Sequence, residues 1–397
     1  MKIDDVVPQR SVEASSPEEI ADVLKTAAIG GQNVVPAGGG TALGIGNVPE
    51  RVDVLLETHA VSGILDYQPT DLMVSVRAGT TIAELARELA AHGQELPLDI
   101  PFPEQSTVGG LVATAFAGPR RFGSGTLKDL LVGCSYVRGD GLIAKAGGMV
   151  VKNVSGFEIP RLLHGSWGTL AVLTSANFKV TPIPKGDITC TVVYPTVQAA
   201  TEAAQSVLLS GASAVSCEIQ QRAGQGGEIE LLVRIQGRED GVREQLDDLR
   251  RALGNADVRV EHGQESRAFW QQHVNDWASA GDHGQLAIGA RPRDIGTVLA
   301  TLDGLPTGLV REWVASPGTG AVRVRFNPDA IAPDAFWSTV TPAPELPGLS
   351  MMIEFGPASW KREVDVWGTP PASVAIMQAI KRQFDPEGVL NRHRMMV

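Results

Sequence analysis

Three glycine clusters stand between apolar stretches of the chain: Gly38-Gly39-Gly40-Thr41, then Gly147-Gly148 leading to Lys152-Asn153-Val154-Ser155-Gly156-Phe157, and Gly165-Ser166-Trp167-Gly168-Thr169-Leu170. Glycine carries an entropic cost, so its repeated use predicts places where the main chain turns tightly or approaches a ligand closely. A diphosphate-bearing cofactor meets that need, because stacked backbone N–H groups cradle phosphate oxygens with no side chain in the way. Side chains for acid–base or anion chemistry are sparser. His273, in Trp270-Gln271-Gln272-His273, either faces a bound ligand or packs as an ordinary helical histidine. Arg323 and Arg325 alternate on a strand-like segment and either clamp a carboxylate or form a pair of surface cations. The other histidines, His59, His92, His164, His262, His283 and His393, make no i,i+4 ligand pair, so no metal site is expected.

The elements that must position these residues follow from pattern. Ser16-Pro17-Glu18-Glu19 combines an N-cap, a proline at the first helical position and a capping-box glutamate, followed by Ile20, Val23, Leu24 and Ala27 at helical spacing and stopped by Gly30-Gly31. Short apolar strands are expected at 33–35, 52–56, 63–65 and 72–77, the first feeding straight into the glycine run. A Rossmann site needs its glycines to open a helix, and Thr41-Ala42-Leu43-Gly44-Ile45-Gly46-Asn47 has no helical continuation. Thr81-Ile82-Ala83-Glu84 signals a second helix, and Pro97, Pro101 and Pro103 lead to a small-residue helix around Ser106–Thr114. Gly139-Asp140-Gly141 between two apolar runs signals a hairpin.

Beyond Pro182-Ile183-Pro184 the texture changes to strands at 188–194, 214–219 and 229–235, a helix from Thr196 and a charged helix over 239–253, the order of an α+β layer. The charges Arg243, Glu244, Asp247, Asp248, Arg250 and Arg251 read as a solvated helix face. A last helix is expected from Pro370-Pro371 to Phe384, stopped by Asp385-Pro386-Glu387-Gly388.

Composition bounds the function classes. With 397 residues, 43% of them hydrophobic, the chain can bury a substantial core in two domains. A net charge of −11 argues against broad binding to nucleic acid, which needs clustered Lys and Arg. Three widely spaced cysteines, Cys134, Cys190 and Cys217, support neither a disulfide framework nor a zinc site and read as buried thiols. The Met1-Lys2-Ile3-Asp4-Asp5 start lacks an apolar signal core, so a soluble cytoplasmic protein is expected, reaching a membrane only through partner subunits.

Five segments in order, Val35–Thr41, Ser106–Gly110, Lys152–Phe157, Gly165–Leu170 and Phe384–Asn391, resemble the motifs of the vanillyl-alcohol-oxidase-type (PCMH-type) flavoproteins. Within that family the chain is most similar to the smaller flavin-binding subunits of bacterial glycolate oxidases. The resemblance implies an α+β fold: an FAD-binding domain over 1–185, an α+β cap or substrate domain over 186–369, and a segment over 370–397 returning to the FAD domain. It implies that Ala37, Gly38, Gly39, Gly40 and Thr41 bind pyrophosphate and that Pro103, Ser106, Thr107, Gly109, Gly110 and Thr114 form a second cofactor segment. Gly118, Arg121 and Gly123 match a loop running along the flavin, Gly165, Gly168 and Leu170 an adenine-side segment, and Asn391 the tail. Relatives that attach FAD covalently often carry a histidine in the first glycine loop or a cysteine where Ser106 stands, so noncovalent FAD is expected. The tail departs from the family, reading Asn391-Arg392-His393-Arg394 where Asn-Pro-Gly followed by Arg or Lys is usual.

The implied function is an FAD-binding subunit of a glycolate-oxidase-like complex, working in 2-hydroxy acid oxidation and electron relay beside a larger homologous subunit and an iron–sulfur subunit. A self-contained FAD oxidase or dehydrogenase of a small alcohol, sugar or hydroxy acid is the alternative, with His273, Arg323 and Arg325 as its catalytic candidates. A binding module that has lost its flavin is the non-enzymatic reading, opposed by the intact glycine loops.

Overall fold

A computed structural model describes residues 1–149, 157–223, 228–254, 256–279, 281–341 and 346–396. The chain divides into two compact units, one of Met1–Ala117, Thr126–Ile183 and Thr369–Val397, the other of Gly118–Gly125 and Pro184–Gly368. The mixed helix-and-sheet content agrees with the α+β class read from the sequence.

In the first unit the helix Pro17–Gly30 starts where expected: Ser16 accepts a hydrogen bond from Glu19 N–H, and Gly31 ends it in the left-handed conformation at φ 59°. Its buried face, Ile20, Ala21, Leu24 and Ala27, packs in one core cluster with the strands Val34–Ala37 and Val54–Glu57. These strands and Arg10–Glu13 form a parallel three-stranded sheet with Val54–Glu57 at its centre. Arg10–Glu13 carries no apolar run, and pairing alone makes it a strand. An antiparallel five-stranded sheet follows the order Ile64–Gln68, Met73–Arg77, Ala171–Lys179, Leu131–Arg138, Ile143–Gly147, the last two forming the expected hairpin. Helix Ile82–Ala90 has both hydrogen bonds of its capping box, between Thr81 and Glu84.

The terminal helix begins at Val374 rather than at the prolines. Pro371 disfavours helical geometry at Pro370, and a turn closed by Val374 N–H on Pro371 O precedes the helix. Past that helix the tail runs beside Val34–Ala37: Val34 N–H donates to Val389 O at 2.8 Å, and Asn391 N–H to Val34 O at 2.9 Å. Val389 and Leu390 are fully buried there.

The second unit is built on one antiparallel eight-stranded sheet, in the order Arg259–His262, Gly186–Tyr194, Ile229–Gly237, Ala214–Gln221, Val310–Ser316, Ala321–Phe326, Gly284–Gly289, Ser350–Phe355. Because side chains alternate across a sheet, its register sorts them into two unlike faces. Ile188, Cys190, Val233, Ile219, Val322 and Val324 belong to an apolar face, and the charged helix Glu239–Leu253 packs there, with Val242 against Gly186. Thr189, Arg234, Ser216, Glu218, Arg323 and Arg325 belong to the other face, crossed by helix Gly263–Trp277. Arg243, Glu244, Asp247 and Arg250 are exposed, as their helix pattern predicts.

Candidate cofactor site and polar sheet face

In the first unit, strand Val34–Ala37 delivers buried Ala37 to a loop that starts at Gly38. A Cβ on Gly38 would collide with the Thr107 hydroxyl, and one on Gly39 with the Gln105 carbonyl, so these two glycines are required by close approach. The backbone N–H groups of Gly38, Gly39, Gly40 and Thr41 have no hydrogen-bond partner among the described residues. Residues 41–47 continue as turns and bends, with no helix.

Against this run lies the start of helix Val108–Thr114. Thr107 caps it by accepting from Gly110 N–H at 3.3 Å, and Ser106 Oγ lies 3.3 Å from Thr41 Oγ1 and donates to Pro101 O at 2.7 Å. Pro103 O accepts from Ala83 N–H, which ties the proline turn to the preceding helix. Gly109 donates to Ala78 O at 2.7 Å, and a Cβ there would lie 3.0 Å from that of Ala78. Thr114 Oγ1 folds back onto Gly110 O.

The far end of the helix meets the third glycine cluster. Gly165 N–H donates to Val112 O at 3.0 Å and Trp167 N–H to Ala113 O at 2.8 Å. Gly165, Trp167 and Gly168 are all left-handed, a sharp turn that places Leu170 before strand Ala171–Lys179. Asn391 closes the set: its Nδ2 donates to Trp167 O at 2.8 Å, while its Oδ1 is buried with no hydrogen-bond partner. Ala37 to Thr41, Pro103 to Thr114, Gly165 to Leu170 and Asn391 thus form one connected group within one unit. Unpaired N–H groups, Cβ-excluding walls and an orphaned buried acceptor fit a diphosphate-bearing, polar cofactor.

Gly118, Arg121 and Gly123 fall in the second unit. A Cβ on Gly123 would lie 2.7 Å from Val215 Cα, so packing on strand Ala214–Gln221 explains that glycine. Desolvation, then the nearby Arg323 charge, lowers the Arg121 pKa. Lys152 to Gly156 lie outside the described residues, and Phe157 is exposed.

Two residues around this candidate site, Lys381 and Arg394, were given no role by sequence reading. Lys381 donates to Thr169 O at 2.7 Å and to Leu390 O at 2.9 Å and pairs with Asp385 at 2.5 Å, which fastens the tail to the turn before Ala171. Asp385 in turn accepts from Val389 and Leu390 N–H, both at 2.8 Å. Burial lowers the Lys381 pKa and Asp385 offsets part of that. Arg394, also buried, reaches the loop after the glycines.

On the polar face of the second unit, His273 is buried, with Nε2 2.7 Å from Glu218 Oε2 and Nδ1 3.4 Å from Arg222. A guanidinium only donates, so Nδ1 accepts and Nε2–H donates to Glu218, engaging both ring nitrogens. Arg323 donates to Glu354 at 3.0 Å. Desolvation opposes its charge, but Glu354 and then Glu218 hold its pKa above the ordinary value. Arg325 bonds Glu312 and the carbonyls of Asp276 and Ser279, with the Trp277 ring 4.8 Å away. Glu218 was invisible in the sequence because only strand register brings it to this face. Ser216 Oγ, Gln220 Oε1 and Gln285 Oε1 are buried there without hydrogen-bond partners.

Residues 8–156 match the FAD binding domain family, so this stretch of the chain carries an FAD-binding domain. The chain is 34% identical over 218 residues to glycolate oxidase subunit GlcE of Escherichia coli, covering 55% of this chain and 57% of that one. It is 33% identical over 187 residues to a D-lactate dehydrogenase of Archaeoglobus fulgidus, covering 47% and 42%, and 27% identical over 202 residues to glycolate oxidase subunit GlcD of Bacillus subtilis, covering 51% and 43%. The chain thus spans about half the length of the curated relatives it matches. Among solved structures, an alkyldihydroxyacetonephosphate synthase has a similar fold, with a TM-score of 0.68 at 15% identity, covering 97% of this chain and 76% of that one. FgChi7B has a TM-score of 0.71 at 13% identity, covering 98% and 91%.

Proposed function

We propose that this chain is the FAD-binding subunit of a glycolate-oxidase-like complex, working in the flavin-mediated oxidation of a 2-hydroxy acid and relaying electrons. The observation that carries it is the glycine-walled N–H run at Gly38–Thr41, in a chain that resembles a glycolate oxidase subunit over 218 residues. A larger homologous flavin subunit and an iron–sulfur subunit are the proposed partners. Bound FAD supplies a hydride acceptor. The chain's own part is to hold it: Gly38 to Thr41 donate backbone N–H to the diphosphate, Thr107 and Gln105 wall the loop, and Asn391 Oδ1 accepts from a cofactor donor. With no histidine or cysteine at Gly39-Gly40-Thr41 or Ser106, the flavin is noncovalent.

Orientation of reactants accounts for roughly 7–11 kcal/mol of a barrier. The larger subunit is proposed to provide it, since His273, the histidine singled out here, has both ring nitrogens engaged. Anaerobic stopped-flow absorbance tests the assignment: glycolate or lactate should bleach the isolated chain slowly or not at all, and coexpression with the larger subunit should restore rapid reduction. Rapid bleaching that the complex does not improve overturns it.

The polar sheet face favours a second reading, a self-contained FAD dehydrogenase of a small hydroxy acid. Arg323 would bind the carboxylate, Arg325 would support the same face, and Glu218, oriented by His273, would take the hydroxyl proton. Loss of substrate-driven bleaching in Glu218→Gln and Arg323→Met, with the flavin retained, is the result this reading requires.

A further inference from the structure

The glycine run is walled by Thr107 and Gln105, and the residues after it are tied to the far end of the chain. Between Gly40 and Asn47 the only main-chain bonds within the loop are Leu43 N–H to Gly40 O at 3.3 Å and Ile45 N–H to Ala42 O at 3.1 Å, among the described residues. Arg394 donates its guanidinium to Leu43 O, at 2.5 Å, and to Ile45 O, and its own carbonyl accepts from Asn47 N–H at 3.1 Å. Gly46, left-handed at φ 96°, completes the contact, since a Cβ there would lie 2.7 Å from Arg394 O. Two further tail contacts fix Arg394 itself: its N–H donates to Asn391 O, and Arg392 N–H donates to Asn33 Oδ1 ahead of the same strand.

We infer that Arg394 is a positioning residue for the cofactor loop: its Nη2 holds the carbonyls of Leu43 and Ile45 so that the N–H groups of Gly38–Thr41 stay aimed at the diphosphate. A guanidinium suits this task because its rigid planar end carries two N–H donors on Nη2, one for each carbonyl, at the full reach of the side chain. Burial lowers the Arg394 pKa to about 10, with the Asp4 charge opposing, so the group remains a cation at neutral pH. That charge adds to the attraction of the loop for an anion. The inference rests on the reading of Gly38–Thr41 as the diphosphate loop.

The test is FAD titration of flavin-stripped full-length protein, followed by fluorescence quenching, with hydrogen exchange of the 41–47 amides as second readout. Arg394→Met should weaken FAD binding about tenfold, the equivalent of one charge-assisted hydrogen bond, and raise exchange at 41–47 while the helix 17–30 stays protected. Gly46→Ala should produce the same pair of changes from the loop side. If Arg394→Met does not fold, Arg394→Lys decides: it keeps the charge but ends one bond short of the Nη2 position, and weaker binding with faster exchange at 41–47 supports the role. Unchanged affinity, or weaker binding without a change in exchange at 41–47, overturns it. Gly39→Ala run alongside separates the two readings. If Gly39→Ala loses FAD and Arg394→Met keeps it, only the role of Arg394 falls; if both keep it, the assignment of the glycine loop falls as well.

Discussion

At the scale of single residues, the cofactor site depends on atoms that are not there. A methyl group at Gly39 would occupy the space of the Gln105 carbonyl, a backbone atom with nowhere to move. Gly39→Ala is therefore expected to abolish FAD retention; a purified variant that keeps the flavin absorbance of the wild type would remove Gly39 from the site. His393 shows the opposite case, an exposed side chain at φ 63° where glycine would be unstrained. His393→Gly should raise stability by about 1 kcal/mol, because a left-handed L-residue costs roughly that much, and a higher melting temperature checks it. The three thiols are inert for a physical reason: burial pushes Cys134, Cys190 and Cys217 up to about 12. Iodoacetamide at pH 8 should label none of them in native protein and all of them in denaturant, read by mass spectrometry.

At the scale of elements, the second unit is held by a buried ion pair between two strands and a helix. Asp187 on strand Gly186–Tyr194 accepts from Arg234 at 3.0 and 2.8 Å, from Gln236 at 2.8 Å and from Ser266 of helix Gly263–Trp277 at 2.7 Å. Asp187→Ala removes the carboxylate that faces the buried Arg234 charge, and breaking such a buried pair costs about 3–5 kcal/mol; denaturant unfolding should show it. Desolvation pushes the Asp187 carboxyl up, but Arg234, Gln236 and Ser266 together hold it below its ordinary value. A lowered folded pKa means the unfolded chain binds the proton first, so this stability is present above the unfolded value of about 3.9. It is lost as pH falls from there through the lower folded value. Asp187→Asn should flatten that part of the acid limb, and an unchanged acid midpoint would show that the pair carries none of it.

At the scale of the whole molecule, one unit holds the glycine run Gly38–Gly40, the Gly165–Gly168 turn and the tail, and the other carries the polar sheet face. Purified protein is expected to hold about one FAD per chain, a single diphosphate cradle taking a single cofactor, and to release it on acid or heat denaturation. Flavin that stays with the precipitated polypeptide would rule out noncovalent attachment. Among the described residues no helix is long and apolar enough to cross a membrane.

Local chemistry was legible before any coordinates: the caps at Ser16, Thr81 and Thr196, the hairpin at Gly139-Asp140-Gly141 and the charged helix Glu239–Leu253 all stand where their residues predict. Each depends on contacts within a few positions, which a sequence displays directly. The glycine clusters were legible for the same reason, since a glycine announces close approach whatever approaches. Long-range pairing was not. Arg10–Glu13 is a strand because Val54–Glu57 lies beside it, and Glu218 meets His273 across 55 residues. Arg394 reaches Ile45 across 349 residues, and Gly123 packs on Val215 across the chain. Such contacts arise from the register of sheets and the docking of the tail, where the partners' separation along the chain leaves no periodic trace.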